Sequence, residues 1–363
     1  GQIATLILPA DCAWDEGAEP GAPLAPPARA SVAPEIVNNI ARALRSGVPA
    51  MLMLSGAALT ERGLRAAHRV AHLTGARLRT PTQVPRMARG RGRVPVDRIP
   101  YVVDAALKVL EGTRHLVLAG AKAPVGFFGY PGKPSTLWPP DCEVHVLARA
   151  EQDIVGALDA LADELGAPRE VALPEPGPRP ETQRGRFHPE AFGHTLAALL
   201  PENAVVAEDA VTSGRALFPL TWAAAPHDWI QITGGAIGHA FPAATGAALG
   251  SPGRKVVCLQ ADGAGMYSLQ ALWTQAREKL DVVNVVFANR RYAILQGELA
   301  AVGAQPGPAS KELFDLSRPT LDWVKLAGGM GVEAVKVETL EGFADAFTSA
   351  CARRGPFLIE FAI

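Results

Sequence analysis

The 363-residue chain is poor in cysteine, aromatic residues and net charge. Its four cysteines, Cys12, Cys142, Cys258 and Cys351, lie far apart and never form a CxxC pair, so neither a disulfide framework nor a zinc site is predicted. A net charge of −1 argues against nucleic acid or an anionic membrane as the main partner. No apolar run is long enough to span a membrane, and the N-terminus lacks the basic region of a signal peptide. These absences favour a cytoplasmic protein.

Alternating helix and strand patterns fill the chain from about residue 33 onward. Buried-looking strands such as "PAMLMLSG" and "KVVCLQAD" alternate with amphipathic helices, a pattern typical of parallel sheets covered on both faces. A proline-rich polar stretch over 167–186 interrupts this pattern and is predicted to be a linker. The predicted fold class is therefore α/β, with two doubly wound parallel-sheet domains at 31–166 and 187–363.

The first residues show a different pattern. "ATLILPAD", residues 4–11, is typical of a fully buried strand, yet no other element of a sheet precedes it in the sequence. A loop rich in proline and glycine follows it. We interpret residues 1–30 as the last strand and exit segment of a domain that would lie before the two predicted ones.

An acid and an amide lie at two predicted strand ends. Asp262 ends one strand and Asn289 the next, 27 residues later, and one right-handed crossover would make these ends neighbours. Oxygen ligands of this kind suit Mg²⁺, and Gly263, Ala264 and Gly265 would let a diphosphate approach the backbone. The alternative is structural, with Asp262 capping the next helix and Asn289 in a turn.

The stretch "ADGAGMYSLQALWTQAREKLDVVNVVFANRRYAIL" resembles the cofactor motif of thiamine-diphosphate-dependent enzymes. That motif is Gly-Asp-Gly, then roughly 25 to 30 residues, then Asn-Asn. "ITGGAIGHAFPAATGAALG" and "AEDAVTSG" resemble two further cofactor segments of this family, and "GAKAPVGFFGYPGKPS" resembles the branch of acetolactate synthase and benzoylformate decarboxylase. The four motifs occur in the family's order and span most of the chain.

The resemblance implies a metal and diphosphate site. Asp262 and Asn289 would bind Mg²⁺ through their side chains, and Arg291 through its backbone carbonyl. Ala261 and Ala288 replace a glycine and an asparagine of the motif, but neither position supplies a side-chain ligand, so we expect metal binding to persist. The residues whose backbone N–H groups would contact the diphosphate are Val211, Thr212, Gly263 and Ala264.

The resemblance also implies how the rings of thiamine diphosphate are held. Gly235 would offer its carbonyl to the aminopyrimidine, and Ile237 would force the cofactor into a V shape that brings its amine next to the reactive carbon. Ala236 and Tyr292 would line the same site. His239 is a candidate for proton transfer, although a histidine in a glycine-rich turn also serves as a local hydrogen-bonding group.

The implied activity is decarboxylation or carboligation of a 2-keto acid, as in acetolactate synthase. Two alternatives stay open: an enzyme of the benzoylformate decarboxylase or aldehyde lyase type, and a non-catalytic subunit that keeps the cofactor fold. Arg86, Arg89, Arg91 and Arg93 suit the phosphates of a flavin, as in related synthases, but no GxGxxG fingerprint accompanies them. A solvated basic loop is the favoured interpretation of these arginines, and flavin (FAD) remains an unsupported alternative.

In this family a glutamate in an N-terminal pyrimidine-binding domain activates the cofactor. Residues 1–30 would be the C-terminal remnant of that domain, 31–166 the middle domain and 187–363 the pyrophosphate-binding domain. We therefore expect the 363 residues alone to show no decarboxylation. The family's cofactor lies between subunits, which implies a partner subunit's pyrimidine domain and a homodimer or homotetramer.

Overall fold

The structure is a computed structural model that describes residues 5–17 and 19–363. Within these ranges the strands are β1 (Ala50–Leu54), β2 (Arg77–Thr80), β3 (Met87–Arg89), β4 (Asp97–Arg98), β5 (His115–Ala119), β6 (Glu143–Ala148), β7 (Ala204–Asp209), β8 (His227–Gln231), β9 (Val256–Ala261), β10 (Val282–Ala288), β11 (Glu333–Val337) and β12 (Phe357–Ala362).

The helices of the same ranges alternate with these strands. They are α1 (Ala10–Trp14), α2 (Pro34–Leu44), α3 (Glu61–Thr74), α4 (Val103–Leu110), α5 (Ile154–Leu165), α6 (Pro189–Leu199), α7 (Val211–Gly214), α8 (Leu217–Leu220), α9 (Ala240–Gly250), α10 (Asp262–Gly265), α11 (Ala271–Arg277), α12 (Ala293–Ala301), α13 (Pro308–Leu313), α14 (Trp323–Gly329) and α15 (Leu340–Ala352). None of the described helices is long and apolar enough to cross a bilayer.

The first sheet has five parallel strands in the order β4-β2-β1-β5-β6. Successive side chains of a strand point to opposite faces, so the apolar strand β1 contributes to two cores. Met51 and Met53 pack with α4 on one face. Leu52 and Leu54 pack with α2, α3 and α5 on the other. The doubly wound α/β prediction is thus confirmed for this sheet.

The second sheet has seven strands in the order β11-β12-β10-β9-β7-β8-β3, and only β3 is antiparallel to its neighbour. One face is covered by α6 and α15, whose Phe192 and Phe343 lie in a phenylalanine-rich core. The other face is covered by α9, α11 and α14, with Phe241 and Trp323 fully buried. The doubly wound architecture predicted from the alternating pattern is confirmed here too.

The basic stretch 86–93 enters the second sheet, although it precedes α4 of the first. Its strand β3 pairs with β8 and is buried throughout. Arg89 is 1% exposed, donates a hydrogen bond to the Phe218 carbonyl and places its guanidinium 3.5 Å from the centroid of that residue's ring. Arg86 pairs with Asp228 at 3.1 Å. The prediction of a solvated loop is therefore wrong for Met87–Arg89, because strand pairing and an aromatic face accommodate the buried cation, whereas the side chain of Arg86 is 64% exposed.

The strand predicted over 4–11 is not formed in the described residues. Ala4 lies outside them, residues 5–9 have no regular structure, and α1 begins at Ala10. Leu6 and Ile7 are 87% and 84% exposed. A buried strand needs a neighbouring strand for its N–H and C=O groups, and no described strand pairs with this segment. Apolar composition alone therefore did not make it a strand.

Candidate active site

Four neighbouring strands, β10, β9, β7 and β8, run parallel in the second sheet. The loops that follow their carboxyl ends therefore emerge along one edge, where α/β proteins commonly bind ligands. Every site residue predicted from the sequence lies in one of these four loops. They are Val211 and Thr212 after β7, Gly235, Ala236, Ile237 and His239 after β8, Asp262, Gly263 and Ala264 after β9, and Asn289, Arg291 and Tyr292 after β10.

Asp262 is 2% exposed, and backbone groups satisfy its carboxylate. Oδ1 accepts the N–H of Gly263 at 2.8 Å, and Oδ2 accepts the N–H of Arg290 at 2.7 Å. Burial raises the pKa of this carboxyl, while the two N–H donors act in the opposite direction. The bond to Arg290 also joins the ends of β9 and β10. Each oxygen accepts one of these two N–H bonds and keeps a lone-pair position for a cation.

Asn289 and Arg291 lie on the same loop as Arg290. The Asn289 Oδ1 accepts the N–H of Arg291 at 3.0 Å, and the Arg291 carbonyl accepts the N–H of Ala293 at 3.0 Å. Arg290 has a φ of 57°, a left-handed conformation that turns the chain sharply. The turn directs the Arg290 N–H toward Asp262, so the loop that carries Asn289 is hydrogen-bonded to the acid at the end of the neighbouring strand.

Aromatic rings leave no room for a side chain at Gly263 and Gly265, which follow Asp262. A Cβ at Gly263 would lie 2.5 Å from Cε1 of Tyr292, and one at Gly265 would lie 2.7 Å from Cη2 of Trp323. The space at Gly265 therefore accommodates the buried Trp323, although the sequence suggested room for a ligand there. The ring of Tyr292 covers Gly263, and the Gly263 N–H is held by Asp262.

Val211 has a φ of 47°, which is unusual for a β-branched residue. Such a conformation costs on the order of 1–3 kcal/mol and occurs mainly at functional sites. Val211 opens the short helix α7, with Thr212 next in the chain, and lines the cavity described below. The strained backbone of Val211 therefore indicates a functional loop independently of the sequence motif.

The loop after β8 is a succession of glycine turns. Gly234, Gly235 and Gly238 have φ values of 65°, 70° and 90°. The Gly235 carbonyl accepts the N–H of Ile237 at 2.9 Å, and the side chain of Ile237 remains 43% exposed. A Cβ at Gly235 would lie 2.8 Å from Cζ of Phe127, so glycine lets the first domain approach this loop.

Asp209, at the end of β7, holds that glycine loop in place. Its Oδ2 accepts the N–H of Gly238 at 2.7 Å, the N–H of His239 at 3.0 Å and Nε2 of Gln260 at 3.0 Å. Asp209 is fully buried. The carboxylate therefore links the ends of β7 and β9 to the loop after β8, and it is the principal site residue that sequence reasoning missed. Two adjacent acids ending an apolar strand were the available signal.

His239 begins α9, and its backbone N–H is one of the donors to Asp209. Its Nε2 is buried and has no hydrogen-bond partner among the described residues. Burial lowers the pKa of this imidazole, which favours the neutral form at pH 7. The backbone N–H of His239 therefore makes a local hydrogen bond, whereas Nε2 of its ring has no partner among the described residues.

A cavity of about 960 Å³ lies between the two sheets' domains. Phe127 and Tyr101 line it from the first domain, while Ile237 and Ile294 line it from the second. Its size and mainly apolar wall are typical of a small-molecule site. Sequence reasoning did not place Phe127 at the site, although the aromatic density of "GFFGY" was the available signal.

Glu298 bridges the two domains at this cavity. Its carboxylate oxygens accept the hydroxyl of Tyr101 at 3.1 Å and that of Tyr130 at 2.8 Å. Both tyrosines belong to the first domain, and Glu298 belongs to α12 of the second. The bridge holds α12 against the aromatic wall, and its members were not identified from the sequence.

Glu208, beside Asp209, is a second buried acid and lines the cavity. Burial raises its pKa to about 7, although the charge of Arg98 and the N–H of Ala210 oppose the shift. The N–H of Ala210 donates to Oε1 at 3.1 Å. A carboxyl that titrates near neutral pH inside a cavity is a candidate for proton transfer.

Glu208→Gln is expected to remove part of the pH dependence of stability. The pKa of Glu208 is 4.5 in the unfolded chain and about 7 in the folded protein. The protonated carboxyl therefore contributes fully to stability below pH 4.5, and this contribution is lost as the pH rises through about 7. The loss is on the order of 3 kcal/mol. Urea unfolding of both proteins at several pH values tests this. His227, whose burial lowers its pKa to about 4, acts in the opposite direction but is common to both proteins. A pH-independent difference would contradict the prediction.

The fold and the strand-end loops define an α/β protein with a ligand site between two sheet domains. Residues 209–361 match the family described as "Thiamine pyrophosphate enzyme, C-terminal TPP binding domain". The Mycobacterium tuberculosis protein named "Putative acetolactate synthase large subunit IlvX" is 48% identical over 364 residues, which cover 100% of this chain and 70% of that protein. Benzoylformate decarboxylase of Pseudomonas aeruginosa is 30% identical over 211 residues, 57% of this chain and 39% of that enzyme.

A solved structure agrees with the fold. The thiamine diphosphate-dependent 4-hydroxybenzoylformate decarboxylase of Rhodococcus jostii RHA1 superposes with a TM-score of 0.75, at 24% identity, over 98% of this chain and 67% of that one. At that identity it supports the architecture only. Together with the 48% identical relative, the comparisons show that the chain belongs to the thiamine-diphosphate-dependent enzymes, among the lyases and transferases similar to acetolactate synthase and benzoylformate decarboxylase.

Proposed function

We propose that the chain carries the diphosphate and Mg²⁺ site of a thiamine-diphosphate-dependent enzyme that decarboxylates or carboligates a 2-keto acid. The observation that carries this proposal is the hydrogen bond from the Arg290 N–H to Asp262 Oδ2 at 2.7 Å, which ties the loop of Asn289 to the acid at the neighbouring strand end. The glycine loop at 234–238 follows a strand of the same edge and borders the cavity.

The residues present fit the metal and its diphosphate. Asp262 and Asn289 offer side-chain oxygens, and Arg291 offers a backbone carbonyl, which is the ligand chemistry that Mg²⁺ prefers. Mg²⁺ keeps waters and substrate phosphates in its remaining positions, so three protein ligands suffice. The strained Val211 and the following Thr212 open α7 toward the same edge, and we assign their backbone N–H groups, with that of Ala264, to the diphosphate.

The loop after β8 would position the rest of the cofactor. Ile237 presents an exposed apolar side chain at the cavity, which Gly235 also lines, and we assign Ala236, between them in the chain, to the same cofactor contact. When bound, thiamine diphosphate supplies a reactive carbon and an electron sink for cleavage beside a keto group. Glu208, near the end of β7, lines the same cavity, and we assign to it the holding of a proton at its carboxyl oxygen near neutral pH; His239 and Tyr292 are further polar groups of the strand-end loops.

The substrate side of the cavity supports an alternative within the family. Phe127, Phe128 and Tyr101 form an aromatic wall, with ring centroids 4.8 Å apart for the phenylalanine pair and 5.6 Å apart for Tyr101 and Phe127. Such a wall favours a 2-keto acid with an aromatic side chain, as in enzymes of the benzoylformate decarboxylase type. Pyruvate, the acetolactate synthase type of substrate, would leave more of the wall uncovered.

We further propose that turnover needs an N-terminal pyrimidine-binding domain from a partner subunit, within a homodimer or homotetramer. The chain spans 70% of the length of the relative that it matches throughout, and 39% of benzoylformate decarboxylase. We assign the family's activating glutamate to that domain.

Calorimetric titration of the purified chain with thiamine diphosphate, with and without Mg²⁺, tests the cofactor site. We expect saturable binding that requires the metal.

Reconstitution with the N-terminal region of the 48% identical relative then tests the reaction, with pyruvate and benzoylformate as separate substrates. Acetolactate indicates a synthase and benzaldehyde a decarboxylase. Cofactor binding without turnover of any keto acid would indicate the non-catalytic subunit, and absence of metal-dependent binding would contradict the proposal.

A further inference from the structure

Two histidines and a glutamate cluster on the first sheet, away from the cofactor loops. His115 begins β5, and Glu143 and His145 lie on its parallel neighbour β6. The register places His115 opposite Glu143 and Val117 opposite His145. Residues two apart on a strand share a face, so all three side chains lie on one face of this strand pair.

The three ligand atoms form a small triangle. Nδ1 of His115 and Nε2 of His145 are 3.1 Å apart, and each is 3.7 Å from Oε2 of Glu143. The centre of this triangle lies about 2.0 Å from each atom, and a metal about 0.7 Å out of its plane, as a tetrahedral site requires, would lie about 2.2 Å from each. Both distances are within about 0.2 Å of the bond lengths of Zn²⁺ to imidazole nitrogen and carboxylate oxygen.

The exposure of the three side chains is compatible with a bound cation that is open to solvent on one side. The imidazoles are largely covered, with side-chain exposures of 12% and 21%, whereas Glu143 is 71% exposed. A metal held by these groups would have its fourth position open to water on the Glu143 side.

We propose that His115, Glu143 and His145 form a binding site for a divalent transition metal of the Zn²⁺ class, separate from the Mg²⁺ and cofactor site. The cluster lies at the amino ends of β5 and β6. The aromatic loop at 127–130, which lines the cavity, follows the carboxyl end of β5. The metal would therefore join the edge strand β6 to β5, at the opposite end of these strands from the loop that lines the cavity.

Calorimetry with tag-free, chelator-treated protein tests this proposal. Zn²⁺ is titrated in excess Mg²⁺, which occupies the Asp262 region, and Co²⁺ absorption then reports the coordination geometry. We expect one Zn²⁺ per chain, tetrahedral Co²⁺ bands, and binding at least about tenfold weaker in His145→Gln and in Glu143→Gln. His72→Gln, on the exposed surface of α3, is the matched control and should bind as the unaltered protein does.

Circular dichroism establishes that each variant is folded, and thermal unfolding provides a second readout. Zn²⁺ should raise the melting temperature of the unaltered protein and of His72→Gln, but not that of His145→Gln. Binding that is equally strong in His145→Gln, or that never saturates, would overturn the proposal. The cluster would then be two imidazoles joined by a hydrogen bond, with Glu143 in the solvent.

Discussion

Asp262→Asn is expected to weaken binding of thiamine diphosphate with Mg²⁺ by at least about a hundredfold. The substitution removes the negative charge of the metal site. It also gives the side chain one N–H₂ group where the native carboxylate has two oxygens, each accepting a backbone N–H. The amide nitrogen must then face the N–H of either Gly263 or Arg290, and the turn that joins β9 to β10 opens.

Titration calorimetry with cofactor and Mg²⁺ measures this effect. Asp345→Asn removes the same charge from the exposed surface of α15 and is the matched control. Unfolding in urea should show Asp262→Asn to be less stable by about 1–3 kcal/mol, since two buried N–H donors compete for one acceptor. Cofactor affinity equal to that of Asp345→Asn would show that Asp262 is only a local cap.

Asp209→Ala is expected to destabilise the protein by about 3–5 kcal/mol and to disorder the loop at 233–239. The alanine leaves three donors without the acceptor oxygen that they share, namely the N–H groups of Gly238 and His239 and Nε2 of Gln260. Cofactor binding should fall as well, because Gly235 and Ile237 belong to the same loop.

Asp209→Asn separates the charge from the hydrogen bonds. Its amide oxygen can still accept the three donors, so its loss of stability should lie between those of the unaltered protein and Asp209→Ala. Urea unfolding measures stability, and limited proteolysis within 233–239 reports the loop. If Asp209→Ala unfolds like Asp345→Ala, a surface substitution that touches no donor, the proposed role of Asp209 is wrong.

The fold followed from repeating local patterns. Apolar strands alternating with amphipathic helices predicted parallel sheets covered on both faces, and both sheets have that form except for the antiparallel edge strand β3. The same reasoning was wrong for segments whose burial and strand pairing depend on residues far away in the sequence. Leu6 and Ile7 lie in a strand-like run but are exposed, because no described strand pairs with them. Arg89 lies in a basic run but is buried, because its strand pairs with β8 and its guanidinium packs against the ring of Phe218.

For the site, the sequence by itself determined which residues lie at strand ends. Right-handed crossovers and parallel strands bring Asp262 and Asn289 to one edge whatever the details of packing. Only the tertiary structure decided how those residues are held. The three hydrogen bonds of Asp209, the raised pKa of Glu208 and the approach of Phe127 to Gly235 depend on atoms tens of residues apart in the chain. Hydrogen bonds and burial are properties of distances in space, and local sequence patterns do not contain those distances.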